Sequence, residues 1–147
     1  MSSTLNLGQF EVLSLFKAKV LLFLDSLIEM FPEESDLIVF RILFDNNIPI
    51  EESMRKFCSR MLPVKEMVSQ RNDKFFLENN VFFSGLKDDK VIHWKNLWQS
   101  KRLDKQDREE IWKWMDLFVR LCLLFNENDK KLSTLFMDKS GEKKPGS

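Results

Sequence analysis

The sequence predicts an all-α protein, a single compact bundle of five to six helices with a mobile C-terminal tail. Three observations carry that expectation. Apolar residues make up 44% of 147 positions, and in several stretches they recur at the three- and four-residue spacing of a helix face. Only 4 Gly and 4 Pro punctuate the chain, too few for the many tight turns of a sandwich or barrel. The length suits one core, assigned to residues 1–126, with a docking turn and flexible tail over 127–147.

The first helix is expected from about Leu7 to Met30, on the stripe Phe10, Leu13, Phe16, Val20, Phe23, Leu27 and Phe31. Leu24 and Ile28 widen it, which suits a central position, and Pro32 closes it. A short helix should follow over about 34–45, with Leu37, Phe40, Ile42, Leu43 and Phe44 on its apolar side. The run Leu37-Ile38-Val39-Phe40 would equally suit a buried strand. Pro49 with Glu51 and Glu52 marks the start of a third helix, which Pro63 breaks or kinks before a continuation to about Gln70. Asn72 and Asp73 can cap a brief turn carrying Phe75, Phe76 and Leu77. The stretch around Val81-Phe82-Phe83 is the least regular.

A further helix is expected over about 89–100, where Trp94, Leu97 and Trp98 complete one apolar stripe. Asp104, with Asp107 three residues on and Leu103 before it, reads as the N-cap of the last helix, about 105–126. Its stripe is Ile111, Trp114 or Met115, Phe118, Leu121, Cys122 and Phe125. Leu132, Leu135 and Phe136 suggest one docking turn, and residues 138–147 read as tail.

Lys plus Arg and Asp plus Glu each total 23, so the net charge is zero. That removes the long-range attraction to phosphates that marks a basic nucleic-acid binder, and it lowers the barrier to self-association. Two separated cysteines, Cys58 and Cys122, sit among apolar neighbours and suit buried reduced thiols, with a disulfide left open. No secretory signal or membrane-length apolar run is seen, which predicts an intracellular chain without a membrane partner.

Chemistry has little to stand on. The single histidine, His93, cannot build a zinc site with two cysteines so far apart, and no Gly-rich phosphate loop occurs. A His93 dyad with either cysteine would need contact that only folding could supply. The acidic pairs lie near helix starts, where negative charge is favourable without a ligand. We therefore expect no catalytic, metal or cofactor site. Two basic groups remain as a nucleic-acid surface: Arg55, Lys56 and Arg60 on the third helix, and Lys101, Arg102 and Lys105 at the last helix junction. Trp112 lies off the final stripe, so partial exposure is expected, and with Phe82 and Phe83 it is the candidate contact for a protein partner.

The blocks Phe31-Pro32, Asn72-Asp73-Lys74-Phe75-Phe76-Leu77, Trp94-Lys95-Asn96-Leu97-Trp98 and Arg108-Glu109-Glu110-Ile111-Trp112-Lys113-Trp114 resemble small helical proteins of nucleo-cytoplasmic large DNA viruses. The resemblance spans about Phe10 to Phe125, and Trp114 stands where that family suggests tyrosine. It implies a viral protein of the infected cytoplasm or the virion, and it transfers no activity. The expected function is thus a non-catalytic interaction module, an adaptor or minor virion component that binds a viral or host protein or itself. A nucleic-acid-binding accessory protein is the alternative.

Overall fold

The computed structural model describes residues 8–79 and 87–142, and among them every regular element is helical. In order these are α1 (Gln9–Met30), α2 (Ser35–Asn46), α3 (Ile50–Met61), α4 (Lys65–Ser69), α5 (Asp73–Glu78), α6 (Asp88–Gln99) and α7 (Lys105–Glu142). The all-α expectation holds, and the open question at Leu37–Phe40 is settled as helix.

Helix α7 is the spine, about 57 Å long at 1.5 Å per residue. Its capping is the one the sequence suggested: the Asp107 N–H donates to Asp104 Oδ1 at 2.7 Å and the Asp104 N–H to Asp107 Oδ2 at 3.3 Å. Helix α1 runs antiparallel to it. Gln9 Nε2 donates to the Phe125 carbonyl at 3.1 Å, Phe16 meets Phe118, and Phe23 meets Trp114. Helix α3 is antiparallel as well, with Arg55 on Asp129 and Cys58 beside the Cys122 carbonyl. Phe118 is where these three helices meet, with the rings of Phe16, Phe23 and Phe57 all within 6 Å. Helix α2 folds back on α1 through Phe44 against Phe16. Helix α6 covers the α1–α2 corner, where Phe31 packs on Trp94 and Arg102 lies over Phe31.

Pro63 sits in a single 3₁₀ turn, Leu62–Val64, that bends α3 into α4 without separating them. Helix α4 then ends with Arg71 in the left-handed region, at φ 54°. The Asn72 N–H bonds the Met67 carbonyl and the Arg71 N–H bonds the Val68 carbonyl, the two bonds of a Schellman ending. Glycine normally takes this position because a Cβ there is strained. The arginine is explained by its side chain, which reaches α7 and bonds Asp116 and Glu109 at 2.9 Å each while lying over Trp112. Asn72 then caps α5 by accepting from the Phe75 N–H at 3.0 Å, as expected.

Three expectations need correction. Phe10 is 77% exposed and Val12 is buried instead, because at 3.6 residues per turn Phe10 lies about a third of a turn round the helix from Phe16, whereas Val12 lies nearly above it. The last helix does not stop at Asn126 but continues to Glu142. Leu132, Leu135 and Phe136 therefore make no docking turn. They extend the Phe118–Phe125 face past the start of α1 and are exposed. Finally, Trp112 is buried, 5% exposed, because α5 and α6 cover that side of α7 with Phe76 and Trp98, each 5.7 Å away.

The Arg71 clamp yields a two-part prediction. Arg71→Gly and Arg71→Ala both lose the ion pairs, but only glycine relieves the backbone. Denaturant unfolding should find the glycine variant more stable by about 1 kcal/mol; equal stabilities would contradict the assignment. Arg71 also holds the Glu109 carboxyl below its ordinary value of 4.5. A depressed carboxyl contributes stability at neutral pH and loses it as pH falls through the folded value. Wild type should therefore lose stability below about pH 4.5 more steeply than Arg71→Ala.

Candidate interaction surface

Helix α2 is apolar on nearly every side, as the run Leu37-Ile38-Val39-Phe40 and the triplet Ile42-Leu43-Phe44 require at a 3.6-residue period. Such a helix ordinarily lies inside a core. Here only Leu37 and Phe44, seven residues apart on one face, are buried against the body of the protein. Away from that face the helix carries Ile38 (43% exposed), Val39 (54%), Ile42 (54%) and Leu43 (45%), with Phe40 (44%) at the edge, one turn from Phe44. Ile38 with Ile42 and Val39 with Leu43 form two adjacent four-residue ridges, and Phe40 flanks them, leaning on Phe44 with ring centroids 5.9 Å apart.

The charges around this face are consumed locally. Arg41 pairs with Asp25 of α1, Asp45 lies 3.8 Å from Lys17, and Asp36 pairs with Lys90 of α6. At the start of α2, Glu33 pairs with Arg102 and the Glu34 carboxylate accepts from His93 Nε2 at 2.8 Å. These contacts fix the pose of α2 without covering its outer face. The Arg102 guanidinium beside Glu33 holds that carboxyl below its ordinary value.

The sequence-predicted residues fall elsewhere. Trp112 is inside the core, and Phe82 and Phe83 lie outside the described residues. Of the six basic candidates, Arg55 is bonded to Glu51 and Asp129, Lys56 to Glu52, and Arg102 to Glu33. Arg60, Lys101 and Lys105 carry no ion pair among the described residues. Nor do the two groups join. Arg55 sits at Asp129, while Lys105 opens α7, about 36 Å away along the helix axis.

His93 faces Glu34, whereas Cys58 and Cys122 are buried free thiols between α3 and α7, so no Cys–His dyad forms. The neighbouring Cys58 sulfur and burial push the Cys122 thiol up, which makes it a poor nucleophile. Among the described residues no group of His, Cys, Asp and Glu side chains could hold a metal, and no helix is long and apolar enough to cross a membrane. The two best-formed concavities are shallow, open and lined largely by charged side chains.

The signal that sequence reasoning missed was the lack of any continuous polar face on α2. Its two faces should respond oppositely to substitution. Phe44→Ala should destabilise by about 3–5 kcal/mol as a core truncation. Ile42→Lys, two positions earlier, should leave thermal stability in dilute solution within about 0.5 kcal/mol of wild type. A large loss from Ile42→Lys would place that side chain in the core and remove the surface.

No protein-family model, curated protein or solved structure matches the chain.

Proposed function

We propose that this chain is a non-catalytic protein-interaction module that binds through the outward face of α2. The observation that carries the reading is the set of five half-exposed apolar side chains on one short helix, Ile38, Val39, Phe40, Ile42 and Leu43. Together they amount to on the order of 500 Å² of apolar surface, as large as the biggest patch on a typical monomer, and patches of that size commonly mark binding sites. The dispersal and pairing of the basic residues favours this over nucleic-acid binding, which needs free cations along one track. An adaptor or minor virion component is the role that the viral resemblance implies for such a module.

The test is a photo-crosslinking residue in place of Ile42, with a second at exposed Glu127 as the control, in the cell that expresses the protein. The reading expects protein adducts at position 42, resistant to nuclease and absent at position 127. Adducts that disappear with nuclease, or equal labelling at both positions, would overturn it.

A further inference from the structure

The partner that this face fits best is a second copy of the chain. We infer that two molecules pair α2 against α2 about a two-fold axis passing near Val39 and Ile42. The inference rests on the reading of α2 as a binding surface and adds the identity of the occupant.

Area is the first support. About 500 Å² of apolar surface from each copy, if wholly covered, gives roughly 1,000 Å², the least that a specific interface needs, and flanking surface must bring the contact into the usual range. Shape is the second. The ridges Ile38–Ile42 and Val39–Leu43 both follow the four-residue rows that interdigitate when two helices cross at about −50°, the commonest packing class. Both copies present the same ridges, as an isologous contact requires. Val39, the smallest of the five side chains, lies mid-face and lets the axes approach.

Charge is the third support, and it separates a like partner from an unlike one. In a two-fold contact every group near the axis meets its own copy, so an unpaired charge there would face its like. Around α2 the nearby charges are already neutralised within the molecule, through Arg41–Asp25, Asp45–Lys17 and Asp36–Lys90. The middle of the face carries no charge, and the acidic excess near its start, Glu33, Glu34, Asp36 and Asp89 against Lys90 and Arg102, lies at the helix end rather than at the axis. The whole chain is also neutral, 23 basic against 23 acidic residues, so two copies approach without net repulsion. The exposed side chains at the far end of α7, Leu132, Leu135 and Phe136, form a separate apolar group and serve as the control.

Sedimentation of the full chain across about 1 to 200 µM tests this, a range wide enough to register a weak homodimer. Wild type and Leu135→Lys should both rise from 17.6 kDa toward twice that mass. Ile42→Lys should stay at 17.6 kDa with unchanged helical circular dichroism, and Val39→Lys serves if that variant does not fold. An equimolar mixture of Ile42→Lys and Ile42→Glu should associate again, because the two substituted positions face each other across the axis. A wild-type monomer at every concentration would overturn the inference, as would a Lys variant that still doubles its mass. A monomer that nevertheless crosslinks another protein at position 42 leaves the interaction reading standing and removes only the self-pairing.

Discussion

The packing around Phe118 is the constraint on which the rest of the structure depends. One ring of α7 receives Phe16 and Phe23 from α1 and Phe57 from α3, and Trp114 of its own helix stacks beside it. Close-packed aromatic rings leave no room for a fourth helix at that level. Helix α2 is thereby confined to the outside of α1, where only Leu37 and Phe44 find cover. The open apolar face of α2 is thus a consequence of how the centre is filled.

The polar contacts distribute the same logic over the surface. Arg71, Arg102 and Arg108 each tie one segment to another at a helix end. Arg71 clamps the α4 terminus to α7, and Arg102 joins the α6–α7 loop to the start of α2. Arg108 donates to the carbonyls of Trp98 and Ser100 where α6 finishes. The exposed Arg102–Glu33 pair adds little stability by itself. Together the arginines hold the ends of peripheral segments against the body of the protein. They also remove cations that would otherwise be available to an anionic partner.

Much of the fold was legible in the sequence because its signals are local. The Asp104–Asp107 capping pair, the Asn72 cap, the bend at Pro63 and the stripe through Phe118, Cys122 and Phe125 all follow from neighbours within a few turns. The surface was not legible, for a matching reason. Arg55 finds Asp129 and Arg102 finds Glu33 across long sequence separations, so clusters that look cationic in the chain are paired in space. Trp112 departs from the main stripe of α7 but is covered by two further helices, which periodicity on one helix cannot reveal. On α2 the apolar residues were visible, yet which of them lacked a partner depended on the crowding around Phe118.

The outward face of α2 is exposed in the isolated molecule, and the proposed self-pairing would cover it. Side-chain footprinting with hydroxyl radicals reads this most directly, because it labels Phe40, Ile42 and Leu43 separately from Leu132, Leu135 and Phe136. Both groups should label strongly in dilute solution, and the α2 positions alone should lose labelling as concentration rises. Unchanged α2 labelling across the concentration series would contradict the self-pairing. Weak labelling of α2 already in the dilute monomer would contradict the exposed face itself.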